Sequence, residues 1–310
     1  MAYLQGFGSY LPQRRVTNDD LAGCLNTESR WILNACGIEE RRYADCSATI
    51  ADLAFLAAKD CLQNTGKKAE ELDLILLSSG SAEKCFPGPA SSLAAKLGLS
   101  SVPAIDLSIA SAGTLVALSL ASNLTSVYKN ILIVGSEIMS RRISFSEEGR
   151  DAAMLFGDGA GACLISSQNG FARIVDSLLY TDGNYEDLLQ LPSVGTLQMK
   201  GREVILQACR KIPHVINDIL SRNQISPSDI DVFLLHQANL NLITRVAHSL
   251  QVPEDRFYCN MAKYGNTSSA SMLIAAVEWW ENSGRGARGP MLFSAFGSGL
   301  NWGALLAVPS

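Results

Sequence analysis

The sequence has few of the residues that metal sites in proteins require. It contains only three histidines among 310 residues, and its eight cysteines form no C-x-x-C pair: Cys24, Cys36, Cys46, Cys61, Cys85, Cys163, Cys209 and Cys259. Structural zinc sites combine cysteine and histidine at short, regular spacings. We therefore expect no metal ion, and we interpret the cysteines as buried free thiols in a reducing compartment.

Long apolar runs and clusters of basic residues are also absent. No apolar stretch reaches the roughly 20 residues that span a membrane, and the N-terminus lacks the basic-then-apolar pattern of a signal peptide. The net charge of −5 argues against a nucleic-acid or anionic-membrane partner. With 47% hydrophobic and 18% charged residues, the composition is that of a soluble globular protein with a sizeable core. We expect a cytoplasmic protein.

Apolar strands alternate with helical patterns throughout the chain, and their order recurs. The acidic turn and buried strand of residues 69–77 match residues 226–235 in the second half, and a predicted strand at 256–259 occupies the place of residues 102–107. This repeat predicts two copies of one α/β unit, residues 1–167 and 168–310, with mixed, mainly parallel sheets covered by helices on both faces. No linker separates the halves, so we expect one continuous body.

Ser111 stands where an apolar strand ends and a small-residue helix begins. Such a sharp strand-to-helix turn lifts one side chain into solvent or a cavity, and the unpaired N–H groups at a helix start favour a developing anion. Small residues at a helix start also serve capping and close packing. The turn becomes a site only if the chain supplies chemical partners for the serine.

The repeat supplies candidate partners. In duplicated α/β folds the equivalent strand ends meet, and ligands favour the crevice beyond the carboxyl ends of the strands. Those ends carry Ser111, His236 and Asn266. His236 could instead be a structural histidine and Asn266 a turn or cap residue. In the functional interpretation, their two neutral donors stabilise an enolate, and backbone N–H groups of the Phe296-Gly-Ser-Gly turn complete an oxyanion hole.

The motifs together resemble a known family. They are Ser111 in its Asp-x-x-x-Ala-Ser-Ala-Gly setting, His236-Gln-Ala-Asn, Gly265-Asn-Thr-Ser, Phe156-Gly-Asp-Gly-Ala-Gly and Ala295-Phe-Gly-Ser-Gly followed by Trp302-Gly. Their order and spacing are similar to those of β-ketoacyl-ACP synthase III, a member of the thiolase superfamily. The resemblance extends over about the whole chain.

The resemblance implies a fold and a reaction. The fold is a thiolase-like, duplicated αβαβα body of five layers, usually a homodimer. The reaction transfers a short acyl group from coenzyme A to a cysteine and condenses it with malonyl-ACP, releasing CO₂. By this resemblance His236 and Asn266 stabilise the enolate, the N–H groups of Ser111 and Ser298 form the oxyanion hole, and Phe296 borders the site.

The resemblance also implies how substrates bind, with acyl-CoA as a substrate rather than a permanently bound cofactor. Trp31 and Arg150 match positions that sandwich the adenine of coenzyme A, a stacking and cation–π role that suits both side chains. Asn239 and Gly201 match positions along the pantetheine channel. Phe86, with its neighbours in the loop 85–87, is expected to border the acyl pocket across the dimer. Without the resemblance, Trp31 and Arg150 would be interpreted as ordinary surface residues.

The sequence departs from the family at the acyl-accepting cysteine, where it has Ser111. The serine is either an engineered substitution that traps an intermediate or a natural one, as in relatives that act as acyltransferases or starter-selecting synthases; a third explanation is a non-catalytic subunit. An alcohol ionises far less readily than a thiol, so condensation is expected to be slow or lost. The alternatives are a Ser-dependent acyltransferase or thioesterase, a starter-unit enzyme of secondary metabolism, and a pimelate-type enzyme that condenses a dicarboxylic acyl-CoA.

A second departure concerns the acyl carrier protein. Family positions with a basic residue for the acidic carrier hold Leu206 and Asn241 here. Other cations lie nearby on predicted helices: Arg202, Arg210, Lys211 and Arg245. An acidic partner needs positive potential, so the carrier is expected to dock differently or to be a different one. These charges could equally form a solvated helical face.

Overall fold

Apolar strands with alternating faces build one sheet that runs through the chain. The computed structural model describes residues 1–310. Its strands are β1 (Ala2–Tyr10), β2 (Arg14–Thr17), β3 (Glu40–Tyr43), β4 (Leu74–Ser78), β5 (Ala104–Leu107), β6 (Asn130–Glu137), β7 (Gly159–Ser166), β8 (Ala172–Thr181), β9 (Leu189–Gln190), β10 (Gln198–Met199), β11 (Val232–Leu235), β12 (Met291–Gly297) and β13 (Asn301–Pro309). Its α-helices are α1 (Asn18–Ala22), α2 (Ser29–Cys36), α3 (Ile50–Thr65), α4 (Pro89–Lys96), α5 (Gly113–Leu124), α6 (Arg150–Ala153), α7 (Gly201–Arg222), α8 (Leu240–Leu250), α9 (Met261–Tyr264) and α10 (Ser271–Asn282).

The main sheet has nine strands in the order β11-β12-β13-β8-β1-β7-β6-β4-β5. Only three neighbouring pairs are parallel, namely β4 with β5, β4 with β6 and β11 with β12. The other five pairs are antiparallel. The prediction of mainly parallel sheets was therefore wrong. β6 is followed by β7, and β12 by β13, without the long crossover helix that a parallel neighbour needs.

The strands send alternate side chains into different hydrophobic clusters. On β11, Val232 and Leu234 face a cluster that contains α5 and α10, whereas Phe233 and Leu235 face a second cluster with α7 and α8. The strands β4, β6 and β7 share the first of these clusters on one face and pack against α3 and α4 on the other. Helices α5 and α10 therefore lie between the two halves of the sheet, and the other helices of these clusters cover the outer face of each half. The expected five-layered αβαβα arrangement is confirmed.

The second half has no full strand at residues 256–259. Phe257 makes a single bridge to Phe233, and a short 3₁₀ turn, Glu254–Arg256, precedes it. The prediction of a strand there was wrong, because residue 256 belongs to the 3₁₀ turn and only Phe257 pairs with β11. The proposed boundary at residue 167 lies between β7 and β8. That the two halves are copies of one unit stays a prediction.

The topology gathers the polar residues at one edge. Parallel strands end at the same side of a sheet, and β4, β5 and β6 do so in one half as β11 and β12 do in the other. The two edges meet at Gly297, the end of β12. A Cβ on Gly297 would lie 2.9 Å from Ser111 Cβ and 2.4 Å from the Ala110 carbonyl oxygen, so only glycine permits this close approach.

Candidate active site

Ser111 lies on a tight turn between β5 and α5. Its φ of 58° is in the left-handed region, which non-glycine residues adopt rarely and mainly where the surroundings enforce it. The nearby Gly113 packs against the end of β4, where a Cβ would lie only 1.7 Å from Ser78 Oγ. The predicted strand-to-helix turn is therefore present, and the serine on it is buried.

The backbone N–H of Ser111 is already engaged. It donates a hydrogen bond to Ser268 Oγ at 3.1 Å. Ser268 in turn has a φ of 49° and donates its own N–H to Asn266 Oδ1 at 2.8 Å. An oxyanion that used the Ser111 N–H would have to compete with the Ser268 hydroxyl for it. The oxyanion hole stays a prediction, and the Ser268 hydroxyl is a partner of this N–H that the sequence did not indicate.

His236 follows the last residue of β11 and is buried beside the start of α10. Its Nδ1 lies 2.6 Å from Ser271 Oγ, and no protein group hydrogen-bonds to its Nε2. Burial lowers the pKa of the imidazole to about 4, because the charged form loses its hydration. His236 is consequently neutral at physiological pH, and a neutral imidazole can still donate one hydrogen bond.

Asn266 is fixed at both backbone and side chain. Its N–H donates to the Leu155 carbonyl at 2.8 Å and its carbonyl accepts from Gly157 N–H at 3.0 Å. Because Oδ1 accepts from the Ser268 N–H, the side-chain Nδ2 is left without a protein partner. This nitrogen is therefore available as a donor to a ligand, which is the role predicted for Asn266.

One apolar cavity of about 80 Å³ brings the predicted residues together. Ser111, His236, Asn266 and Phe296 line it. Five further lining residues, Leu155, Met199, Gly201, Ile205 and Asn239, also line a wider outer cavity of about 510 Å³. The two cavities form a route from the surface to the serine. Gly201 and Asn239 lie along this route, where the sequence predicted the pantetheine channel.

The outer end of the route carries the predicted adenine site. Trp31 lines the outer cavity together with Arg202 and Arg245. The Arg150 guanidinium lies 4.8 Å from the centroid of the Trp31 ring, so the two side chains contact each other directly. A purine that stacked on both would have to separate them. The two side chains therefore lie together and leave no gap for a purine between them.

Asn239 has a structural task as well. Its Oδ1 accepts the Asn241 N–H at 2.8 Å and caps α8, while its Nδ2 donates to the Ala35 carbonyl at the end of α2 at 3.0 Å. The Asn241 side chain donates to the same carbonyl at 3.1 Å. The helix that carries Trp31 is thus tied to the helix that begins at the site.

Ser111 also borders a second cavity of about 240 Å³. Ser268 and Ser298 line it, and Ser298 lies in the turn after β12. Asn301 Nδ2 donates to the Ser298 carbonyl at 2.6 Å, and Thr181 Oγ1 donates to Asn301 Oδ1 at 2.6 Å. The Ser298 turn is therefore held from outside the cavity. Residue 111 therefore borders both the route from the surface and this second cavity.

The two predicted pocket phenylalanines differ in position. Phe296 is buried and lines the first cavity. Phe86 is 86% exposed and lines neither cavity of this chain. Its place across a dimer stays a prediction.

Sequence reasoning missed three residues around the site. Ser268 accepts the Ser111 N–H, and Ser271 hydrogen-bonds to the His236 ring. In the sequence they are only part of a run of hydroxyl residues after Asn266, which does not show where each hydroxyl points. The third is Glu137 at the end of β6, which is fully buried. Its carboxyl group accepts hydrogen bonds from five donors: the Ser79, Ser81 and Ser269 hydroxyls and the Gly80 and Ser269 N–H groups. It ties the ends of β4 and β6 to the segment that carries Ser268.

No group of three or more His, Cys, Asp or Glu side chains is arranged to hold a metal ion. None of the helices is long and apolar enough to cross a lipid bilayer.

Comparison with known proteins gives consistent matches. The family model described as 3-Oxoacyl-[acyl-carrier-protein (ACP)] synthase III matches residues 105–183, and that described as its C-terminal region matches residues 220–308. Beta-ketoacyl-[acyl-carrier-protein] synthase III of Aquifex aeolicus is 37% identical over 304 residues, which is 97% of each chain. The crystal structure of 3-oxoacyl-[acyl-carrier-protein] synthase III from the same organism superposes with a TM-score of 0.94 at 35% identity, covering 99% of this chain and 100% of that one. The priming beta-ketosynthase from the R1128 polyketide biosynthetic pathway superposes with a TM-score of 0.91 at 29% identity, covering 100% and 96%.

Proposed function

This chain belongs to the 3-oxoacyl-[acyl-carrier-protein] synthase III family, and from that premise we propose that its site carries out decarboxylative condensation. The substrates are an acyl-CoA and malonyl-ACP, and the product is a 3-oxoacyl-ACP of fatty-acid-type biosynthesis. The observation that supports the proposal most is the first cavity. It places residue 111 and two neutral donors, His236 and Asn266, at the inner end of one route from the surface.

The proposed reaction has two half-reactions at that point. In the first, the oxygen of residue 111 attacks the acyl-CoA thioester, its proton leaves, and coenzyme A departs as the thiol. In the second, the bond between the malonyl Cα and its carboxylate breaks, and CO₂ leaves. The electron pair passes to Cα and the thioester oxygen as an enolate, which Cα then uses to bond to the acyl carbon. Residue 111 is released and takes up a proton.

His236 and Asn266 serve the second half-reaction in this proposal. Negative charge develops on the malonyl thioester oxygen as CO₂ leaves, and preorganised neutral donors lower the energy of that charge without reorganisation. The free Nδ2 of Asn266 and the unpartnered Nε2 of His236 line the cavity where that oxygen would lie. A buried neutral imidazole suits this role, because it donates a hydrogen bond without attracting the malonyl carboxylate, which has to leave.

We also propose that Ser111 stands at the position of the family's acyl-accepting cysteine. A thiol with a pKa near 8.5 supplies thiolate at neutral pH, whereas a serine needs a positioned base. Ser111 Oγ makes no hydrogen bond to His236 or to any other side chain; only the backbone N–H of Ser111 is hydrogen-bonded, to Ser268 Oγ. The first half-reaction is therefore expected to limit the rate of the chain as it stands.

The partners in this proposal are coenzyme A thioesters, an acyl carrier protein and a second copy of the chain. Arg202 and Arg245 at the outer cavity give the route entrance a local positive charge, which supports an anionic substrate or carrier. The homodimer is supported by β5, whose outer edge is unpaired. We further propose a cytoplasmic location, because all eight cysteines are free thiols.

A second candidate function rests on the serine itself. A Ser-dependent acyltransferase, or a starter-unit enzyme, would use the same acyl transfer to residue 111 and pass the group to an acceptor other than malonyl-ACP. The similarity to a priming ketosynthase of a polyketide pathway supports considering it. It would need no decarboxylation, so His236 and Asn266 would have no enolate to stabilise.

The test is a comparison of three forms of residue 111 with an acyl-CoA and malonyl-ACP. We expect Ser111→Cys to release CO₂ and form 3-oxoacyl-ACP in equal amounts, and the unaltered chain to do so much more slowly, because only the thiol supplies an anion at neutral pH. Ser111→Ala is the control that cannot accept an acyl group. Condensation by Ser111→Cys no faster than by Ser111→Ala would disprove the proposed function.

A further inference from the structure

Ser271, the first residue of α10, hydrogen-bonds to one nitrogen of the His236 ring. Its Oγ lies 2.6 Å from His236 Nδ1. The same oxygen accepts the Gln237 N–H at 3.0 Å. All three residues are buried, so water does not replace a missing partner at this point.

The donors and acceptors in this group allow only one fully satisfied arrangement. A serine hydroxyl has one proton to donate and can accept two hydrogen bonds. The Gln237 N–H already donates to Ser271 Oγ, and the only acceptor in reach of the Ser271 proton is His236 Nδ1. If Nδ1 carried a proton, the buried Ser271 hydroxyl would have no acceptor, and an unsatisfied buried donor is strongly unfavourable. The hydroxyl therefore donates and Nδ1 accepts.

We propose that Ser271 is a positioning residue that fixes the tautomer of His236, placing the ring proton on Nε2, toward the cavity shared with Ser111 and Asn266. Gln237 contributes by orienting the Ser271 hydroxyl through its N–H. Its own side chain anchors this segment, since Nε2 donates to the Leu235 carbonyl at 2.8 Å.

The assignment has a chemical consequence, which rests on the proposed function. With its proton on Nε2, His236 offers the cavity a donor and no lone pair. It can stabilise the enolate oxygen, but it cannot take the proton of Ser111. In serine hydrolases, the histidine presents a lone pair to the serine because a carboxylate accepts its other N–H. Here a hydroxyl donates to Nδ1 instead, so the ring presents its N–H to the cavity rather than a lone pair.

The tautomer can be measured directly by long-range ¹H–¹⁵N NMR of the full chain labelled with ¹⁵N-histidine. Only three histidines contribute, and His214 and His248 have side chains that are 77% and 73% exposed, so their signals serve as references for exposed rings. We expect the remaining ring to show an unprotonated Nδ1 and a protonated Nε2 near pH 7. A protonated Nδ1 in the unaltered chain would overturn the proposal.

Two substitutions test whether Ser271 is the cause. Ser271→Ala removes the donor, so the Nδ1-protonated form should become measurably populated, whereas Ser271→Thr keeps the hydroxyl and should keep the tautomer. A thermal melt of each variant shows whether it folds. An unchanged tautomer in folded Ser271→Ala would contradict the assignment, because a residue that only packs against the ring would give that result.

Activity gives a separate readout. On the Ser111→Cys background, Ser271→Ala should slow release of CO₂ from malonyl-ACP by less than the roughly 10²- to 10³-fold cost of removing a donor outright, and Ser271→Thr should restore it. Acyl transfer to residue 111 should change little. If the tautomer shifts but no form of the chain decarboxylates malonyl-ACP, the proposed function fails and the positioning role of Ser271 stands.

Discussion

At the scale of single residues, the hydrogen bonds of Ser111 and His236 suit the second proposed half-reaction, decarboxylation, better than the first, acyl transfer. The Ser111 hydroxyl hydrogen-bonds to no base, while the His236 ring is neutral, buried and hydrogen-bonded at Nδ1 to Ser271. A site of this kind is prepared to stabilise an enolate. It is poorly prepared to ionise an alcohol, which is why the cysteine variant is the informative one.

The buried His236 also predicts how stability depends on pH. Its pKa is lowered to about 4 in the folded chain by burial, against about 6.5 in the unfolded chain. As the pH falls from about 6.5 to 4, the unfolded chain takes up a proton that the folded chain does not. The free energy of unfolding should therefore decrease over this range, by up to about 3 kcal/mol.

Urea unfolding at pH 7.5 and pH 4.5 checks this prediction. His236→Gln should lose much of the decrease in unfolding free energy between the two pH values, whereas His214→Gln, at an exposed position, should keep it. Equal pH dependence in both variants would show that the His236 ring is not the titrating group.

At the residue level, the sequence predicted the groups that directly follow strands. Ser111, His236 and Asn266 could be found because each ends an apolar run or a glycine turn, and all three line one cavity. Ser268 and Ser271 could not, since the direction of a hydroxyl depends on which neighbouring segment supplies its partner. The direct contact of Arg150 with Trp31 was likewise not predictable, because residues 31 and 150 meet only through tertiary packing.

At the level of single elements, β5 has an edge that no other strand of the chain covers. It ends the nine-stranded sheet, so one of its edges presents unpaired N–H and C=O groups. Ile105 on this short strand is 47% exposed. Native proteins usually cover or charge such an edge, and a second copy of the chain, paired through the same strand, would cover it.

Sedimentation of the unaltered chain should therefore give the mass of a dimer. Ile105→Lys places a charge on the edge and should shift the chain toward monomer. Leu206→Lys, at a residue that is 46% exposed on α7, is the matched control and should leave the dimer intact. A monomer for the unaltered chain, or equal dissociation by both variants, would exclude β5 as the interface.

The long helix α7 was easier to recognise in the sequence than a strand at residues 256–259. α7 spans Gly201–Arg222, and its apolar face recurs over six turns, a period that can be recognised in the sequence. The strand predicted at 256–259 rested on a correspondence between the two halves. A short segment pairs only where its neighbour continues alongside it, and here the pairing stops after Phe257.

For the whole molecule, the five layers explain why residues distant in the sequence share one site. The segments after β5, β11 and β12 come together because two sets of parallel strands end at edges that meet at Gly297. The route from Trp31 to Ser111 runs beside the start of α7. Helices on both faces of the sheet were predictable from the alternation of elements, and the five layers were implied by the family resemblance, whereas the route depends on how the helix ends pack.

The most direct test of this account is acylation of residue 111, measured by intact mass and peptide mapping after incubation with a short acyl-CoA. The account predicts one acyl group per chain on residue 111 of Ser111→Cys, much slower acylation of the unaltered Ser111, and no effect of adding His236→Ala to Ser111→Cys, since the histidine serves the later step. Failure of Ser111→Cys to take up an acyl group at residue 111 would contradict the proposed site. Acylation of the unaltered serine as fast as the cysteine would contradict the role given to His236 and favour a Ser-dependent acyltransferase.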